Sequence, residues 1–422
     1  MPLSYAIDFG TSNSLLAACD GEKIISAIPI DPYSYDPTVM RTLLYFPSQK
    51  RVFFGSEALK NYNENPGEGR LIRSIKKHLP FRSFIGTWIE DRPMNLEDLI
   101  GLFLAELRKK GNQHFNQDVT RLVLGRPARF AEDEGDDLYA QNRLEIAARK
   151  AGFTEIEFVP EPIAAACEFR TTLNREKVVF VADFGGGTSD FTVMKMKPGP
   201  YQPSDVLAIG GVPRAGDALD GSVMRERLSS HFGADIRFQI PFSSNILKMP
   251  LHLMEKICSP ADVSLLMKKD IMEFLKNIEK WATKSEDKSK MQRLFTLVED
   301  QLGFPLFEKV EQAKRELSGA NEGRVLFDYP GINLNEKIQK VEFEKYIEPS
   351  IEVILKTLDE TVKKSGLNYS QIDLVCCTGG TAKVPCLKEA IEQRFGKEKL
   401  QEHRVFHSVV EGLAHRAREI FK

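Results

Sequence analysis

Apolar residues in this chain gather into short dense runs that end abruptly in aspartate, glycine and hydroxyl-bearing residues. Val178-Val179-Phe180-Val181 suits a covered strand, Asp183-Phe184-Gly185-Gly186-Gly187 breaks it, and Phe191-Thr192-Val193 resumes strand character. The pattern predicts strand, glycine turn, strand, with glycines that permit positive φ and close approach to bare backbone. Because no helix follows the glycines, the turn is neither a Walker loop, which ends in Lys-Ser or Lys-Thr ahead of a helix, nor a G-x-G-x-x-G dinucleotide fingerprint. A hairpin tip with free N–H groups and hydroxyls can still cradle a phosphate, and Asp183 beside it can hold a metal through water. Taken alone, GGGTSD is more often an ordinary tight turn.

The same pattern recurs near the N-terminus as Tyr5-Ala6-Ile7-Asp8-Phe9-Gly10-Thr11-Ser12, followed by Leu15-Leu16-Ala17-Ala18. The copies share D-F-G and T-S. Each leads through a further turn, Asp20-Gly21 or Lys197-Pro198-Gly199, into a third apolar run, Ile24 to Ile28 or Val206 to Ile209. A meander unit, duplicated, is predicted. Such tips facing each other would grip a polyphosphate from both sides.

Between the copies, residues 29 to 118 are irregular and read as an insertion. They hold the basic stretch Arg70 to Lys77, usually solvated surface but able to bring a cation to a phosphate, and a helix from Leu96 to Lys110 with basic residues in its last turn. A strand is predicted at Leu122 to Leu124, then an acidic loop from Glu132 to Asp137, a helix from Gln141 to Ala151, and a small-residue helix from Ile163 to Phe169. Glu161 lies between Pro160 and Pro162 at the entrance to that last helix, where φ is fixed. A carboxylate so held suits a metal-bound water, though a favourable charge at a helix N-terminus explains it equally well.

Past the second copy, Gly216-Asp217 and Asp220 start a helix, and residues 230 to 300 read as helical, with an amphipathic stretch from Ala261 to Trp281. In Phe307 to Ser318, helical spacing puts Glu311, Lys314, Arg315 and Ser318 on one stripe, which is usually a solvated face with internal ion pairs but can border a nucleoside. A long helix from Phe343 to Val362 is expected to kink at Pro349. The strand Ile372 to Cys377 then meets Thr378-Gly379-Gly380-Thr381-Ala382-Lys383-Val384-Pro385, opening a helix whose N–H groups can meet an anion or a base edge. The final helix runs from Val409 to Phe421.

Composition narrows the class. With 422 residues the chain exceeds one comfortable core, so two to three domains are expected, and 42% hydrophobic with 28% charged residues is ordinary for a globular protein. A net charge of −2 gives no reason to expect nucleic acid. Charges or prolines interrupt every apolar run well before bilayer length, and Met1-Pro2 leads straight into a strand without a signal-like block, so no membrane association and a cytoplasmic location are expected. The 6 cysteines lack C-x-x-C spacing and read as buried reduced thiols.

The ordered set D-F-G-T-S-N, E-P-I-A-A-A, D-F-G-G-G-T-S-D, E-x-x-K-R-x-L-S and T-G-G-T-A-K-V-P resembles the actin-like ATPase superfamily, specifically the ATPase domain of DnaK-type heat-shock chaperones, from residue 4 to about residue 418. Gly125-Arg126-Pro127, the 230 to 300 insertion and Ser408-Val409 before Gly412-Leu413-Ala414 look most like the YegD-like branch. The resemblance implies an α/β fold of two lobes, each a duplicated mixed sheet flanked by helices, with nucleotide in the cleft between them. Lobe I would span 1–178 with an insertion at about 29–118, and lobe II 179–422 with a helical insertion at about 216–318. It also implies ATP or ADP with Mg²⁺, slow hydrolysis, nucleotide-controlled lobe closure, and a monomer working with a protein partner or co-chaperone.

By motif, the resemblance has Asp8 and Asp183 hold Mg²⁺ through water, while Gly10, Thr11, Ser12 and Asn13 and the turn Gly185, Gly186, Gly187 and Thr188 bind the β- and γ-phosphates. Lys76 is similar to the family's catalytic lysine, Glu161 to the carboxylate that organises the attacking water, and Thr188 to the hydroxyl beside it; with Asp183 these form the implied catalytic set. Gly216, Asp217, Glu311, Lys314, Arg315 and Ser318 would edge the adenosine, as would Gly379, Gly380, Thr381 and Lys383.

The sequence also departs from the family pattern. Phe406-His407-Ser408-Val409-Val410-Glu411-Gly412 replaces D-E-A-V-A-Y-G, Lys383 replaces an arginine whose plane can stack on the base, and A-G-D-A-L-D replaces G-G-E-D-F-D. Pro127 matches the family's switch proline, whose partner arginine has no clean counterpart. The apolar linker and peptide-binding sandwich are not read in these residues, so a cycle in which ATP controls a client site on the same chain is not assumed. A nucleotide-gated scaffold without hydrolysis, an actin-like filament protein and a small-molecule kinase stand as alternatives; Lys76 and the E-x-x-K-R-x-L-S helix favour the chaperone-type pocket over the last two.

Overall fold

The apolar runs of the repeated unit become the centres of sheets with identical strand order. A computed structural model describes residues 3–48, 50–65, 68–131, 133–170, 175–197, 202–260, 262–402 and 407–421. Strands β1 (Ser4–Phe9), β2 (Asn13–Cys19), β3 (Ile24–Ile25), β4 (Arg121–Arg126) and β5 (Glu155–Pro160) lie in the order β5-β4-β1-β2-β3, with Met40–Arg41 paired beside β2. Strands β6 (Lys177–Phe184), β7 (Ser189–Met196), β8 (Val206–Val212), β9 (Leu374–Thr378) and β10 (Leu400–Glu402) repeat it as β8-β7-β6-β9-β10. In each sheet the central strand pairs antiparallel with its hairpin partner and parallel with the strand on its other side. The duplication predicted from sequence therefore extends to five strands per copy. The Lys197-Pro198-Gly199 turn lies partly outside the described residues.

The near-continuous hydrophobicity of these strands follows from cover on both faces. One face of the first sheet, with Tyr5, Ile7, Phe9 and Leu124, packs on the helices Leu96–Phe115 and Glu134–Lys150 through Phe103, Leu107 and Leu144. The other face, with Ala6, Leu15 and Val123, shares a core with Val179, Val181 and Cys376 of the second sheet. The helices Glu161–Arg170 and Ser408–Ile420 fill that shared core. They approach so closely that a Cβ on Gly412 would stand 1.7 Å from the carbonyl oxygen of Ala164. Gly412→Ala is therefore expected to push the helices apart and lower stability by about 1–3 kcal/mol, read as a shifted denaturant midpoint.

By Cα proximity the chain divides into two compact units, Met1–Tyr62 with Gly69–Ala215 and Val353–Lys422, and Gly216–Glu352 with Asn63–Glu68. Both sheets belong to the first. The second contains helices and a hairpin, Glu322–Tyr329 with Ile332–Gln339, in which buried Gly323, Val325 and Phe327 alternate with exposed residues. That hairpin is not anticipated from the sequence, although its alternation is regular. Residues 230 to 300, expected to be helical, are interrupted by a small hairpin, Arg237–Gln239 with Ile246–Lys248. Ala261 lies outside the described residues.

The acidic stretch expected as a loop is largely the first turn of the helix Glu134–Lys150, which begins well before Gln141. Asp133 caps it by accepting from Asp136 N at 3.0 Å, and a carboxylate-rich first turn suits the helix dipole. Glu132 lies outside the described residues. Arg126 reaches back to that helix, donating to both carboxylate oxygens of Asp137 at 2.8 and 2.7 Å. The helix Lys340–Lys364 runs through Pro349. After β9 a single turn, Gly380–Lys383, intervenes before the helix Pro385–Phe395.

Candidate functional site

The tight turns of the hairpins close in the same way. Gly10 N donates to Asn13 O at 3.0 Å, and Gly185 N to Thr188 O at 3.0 Å. Counted from these bonds, Asp8 corresponds to Asp183, Thr11 to Gly186, Ser12 to Gly187 and Asn13 to Thr188. The Thr-Ser pairs seen as shared in the sequence thus occupy different places. Thr11-Ser12 sits inside its turn, whereas Thr188 closes the other and Ser189 opens the strand. The tips meet, since a Cβ on Gly187 would lie 3.5 Å from Oγ1 and Cγ2 of Thr11.

A buried charge cluster lies behind the tips. Ser74, with φ of 53°, turns the chain from a strand into the short turn Ile75–His78 and directs Lys76 inward. Lys76 Nζ donates to Glu161 Oε1 at 2.6 Å, with both side chains nearly inaccessible. Gly125 on β4 leaves the space Glu161 occupies, because a Cβ there would be 3.2 Å from Glu161 Cγ. Across the second sheet, Asp183 Oδ1 accepts from Thr378 Oγ1 at 2.8 Å and Asp190 Oδ2 from Thr188 Oγ1 at 2.8 Å.

Burial and crowding dominate the electrostatics. Burial, then Glu161 and Asp183, raise the Asp8 carboxyl well above its ordinary range against the pull of Lys76. Burial and Glu161 lift Asp183 to about 6, while the Thr378 hydrogen bond and Lys76 oppose this. Burial, Glu161 and Asp183 push Asp190 to about 8. Burial would lower Lys76, but Glu161 and Asp8 outweigh it and hold the ammonium above its usual value. Asp190 ends the T-S-D motif, and the sequence pattern by itself gives it no role. The signal is a carboxylate in a buried strand where the first copy has Leu15.

One lysine among these carboxylates leaves a deficit of positive charge, which a divalent cation would fill. Among the described residues no three carboxylate, imidazole or thiolate side chains converge to hold an ion unaided. A metal beside Asp8 and Asp183 would therefore complete its shell with water and phosphate oxygens, as a small hard cation prefers.

Raised carboxyl pKa values set a pH dependence. At low pH these carboxyls are protonated in both states; as pH rises past about 4 the unfolded chain releases protons that Asp190 keeps up to about 8 and Asp183 up to about 6. Stability of the ligand-free protein is expected to fall as pH rises across that window. Thermal unfolding at several pH values checks this, and Asp190→Asn is expected to flatten the slope.

Beside this cluster, Gly379 takes φ of 85° and passes so near β6 that a Cβ would lie 2.0 Å from Phe184 O. Thr381 Oγ1 donates to Gly185 O at 3.2 Å, Gly380 opens the short turn, and Lys383 at its end is exposed. Gly216, Asp217, Glu311, Lys314, Arg315 and Ser318 fall in the second unit. There Lys314 is engaged, 2.8 Å from Asp220 Oδ1 and donating to Gly216 O at 3.3 Å. Arg315 pairs with Glu311 at 3.1 Å on an exposed face, and Ser318 follows the helix Gly303–Leu317 as its cap, donating to Lys314 O.

The sequence model of the Hsp70 protein family matches residues 71–239 and 272–417. The match spans Lys76, Glu161, the second hairpin and both glycine-rich segments that follow it. The first hairpin precedes the matched residues, and its likeness to the second rests on strand order and turn geometry. No helix among the described residues is long and apolar enough to cross a membrane.

Proposed function

The chain belongs to the Hsp70 family of actin-like, nucleotide-binding, chaperone-type ATPases, and from that premise we propose that it binds Mg-ATP at the paired turns and hydrolyses it slowly. Support comes from one observation above all: tips carrying Asp8 and Asp183 meet over a buried cluster that contains one lysine. In this reading the N–H groups and hydroxyls of Gly10 to Asn13 and Gly185 to Thr188 bind the β- and γ-phosphates. Asp8 and Asp183 hold Mg²⁺ through water, and the metal supplies charge neutralisation at the phosphates. Lys76 stabilises charge developing on the γ-phosphoryl oxygens. Glu161, fixed by Lys76 through Oε1, orients the attacking water with its remaining oxygen, and Thr188 lies beside it.

By family motif, Gly379, Gly380, Thr381 and Lys383 are assigned to the adenosine, as are Gly216, Asp217, Glu311, Lys314, Arg315 and Ser318. Lobe closure on nucleotide and a protein partner that senses it complete the proposal. Calorimetry of ATP binding with and without magnesium, together with phosphate release, tests it. Binding strengthened by magnesium with slow release of phosphate is expected. Absence of binding would overturn it.

A second reading, a nucleotide-gated scaffold without hydrolysis, is favoured by the commitment of Lys76 to Glu161 at 2.6 Å. Binding without phosphate release would select it.

A further inference from the structure

Residues 240–271 lie outside the Hsp70 match, and the segment around them displays an unusual surface. The strands Arg237–Gln239 and Ile246–Lys248 pair antiparallel, with Arg237 directly opposite Lys248. Directly opposed residues project from the same face, so like charges here repel. Both side chains are exposed, and no carboxylate pairs with either among the described residues. The adjacent Asp235 is taken by Lys290 at 2.6 Å.

Apolar groups crowd the same hairpin. Ile246 is 59% exposed, Leu247 on the opposite face 39% and Phe242, at the tip, fully so. Phe242 also has φ of 65°, a conformation a bulky residue rarely adopts. The edges of the hairpin differ. Arg237–Gln239 is flanked by the bridge from Phe238 to Ala282, while the outer edge of Ile246–Lys248 is unpaired among the described residues. An open, apolar edge is a template for another strand.

We propose that this hairpin docks an extended segment of a partner protein in which acidic and apolar residues alternate, added as a strand along Ile246–Lys248. Its carboxylates, all on one face of the added strand, would neutralise Arg237 and Lys248, its apolar side chains on the other face would cover Leu247, and its backbone would satisfy the open edge. Charge complementarity selects this occupant. A second copy of the chain would bring its own Arg237 and Lys248 against these. An anionic membrane would answer the charge, but it would leave the open edge's N–H and C=O groups unpaired in an apolar phase.

The test uses the full chain and a fluorescent synthetic peptide alternating valine or phenylalanine with aspartate or glutamate, beside one with lysine in place of the acids. The acidic peptide is expected to bind, the basic one not. The double variant R237E/K248E is expected to weaken acidic-peptide binding at least about tenfold and to admit the basic peptide. Leu247→Ser should weaken binding with both cations intact. Circular dichroism and ATP binding, expected unchanged in both variants, separate loss of docking from loss of fold. Failure of the acidic peptide to bind, or equal binding to wild type and the charge-reversed variant, overturns the proposal. So does sedimentation with phosphatidylserine vesicles in its place, or self-association abolished by the charge reversal.

Discussion

Lys76→Ala is expected to lower single-turnover ATP hydrolysis by about 100-fold or more while ATP still binds, because a preorganised charge aimed at the transition state contributes about that much. The substitution also strips Glu161 of its partner in a site where both side chains are nearly inaccessible. Removing one member of a buried ion pair destabilises by about 3–5 kcal/mol. Glu161→Gln added to Lys76→Ala should recover part of that loss, since an amide needs no counter-charge, but should recover no turnover. Unfolding and turnover measured on the single and double variants therefore separate structural from catalytic roles of the pair. Equal turnover in wild type and Lys76→Ala would remove the lysine from the chemistry.

The second large effect concerns the paired aspartates. Asp8→Asn and Asp183→Asn should each weaken magnesium-dependent ATP binding by about 10–100-fold, the range for groups that orient metal-bound water. With both on one ion, as proposed, their effects should not add; a coupling energy of about 1 kcal/mol or more is expected from the double-mutant cycle. Without ligand the opposite sign is expected. Burial and mutual repulsion push the carboxyls of Asp8, Asp183 and Asp190 upward, so neutralising one should raise the thermal midpoint of the ligand-free protein. Buried carboxylates that repel one another in the empty site are what a bound cation would relieve.

Much of this architecture is legible in the sequence because strands covered on both faces write themselves as unbroken apolar runs. The turn between Asp183 and Asp190 was readable from its glycines, and its copy at Asp8 from the recurrence of D-F-G. What periodicity does not carry is the partner across space. The pairing of Lys76 with Glu161 joins residues 85 positions apart, and nothing local to either residue announces it. Asp190 is not legible in the same way, because a polar residue beside a glycine turn has a turn-side explanation, while its significance lies in burial and in the carboxylates around it. The acidic stretch before Gln141 reads as a loop because carboxylates in a first helical turn lack a helical apolar pattern, and the cap at Asp133 shows it to be the helix start. The Glu322–Tyr329 hairpin carries a strict alternation of buried and exposed positions that only its folded pairing with Ile332–Gln339 explains.

The most direct measurement is a crystal structure of the protein with a non-hydrolysable ATP analogue and magnesium. The account predicts a triphosphate held between the turns Gly10 to Asn13 and Gly185 to Thr188, with metal-bound waters hydrogen-bonded to Asp8 and Asp183. An analogue bound elsewhere, or touching one turn while the other faces solvent, would contradict it.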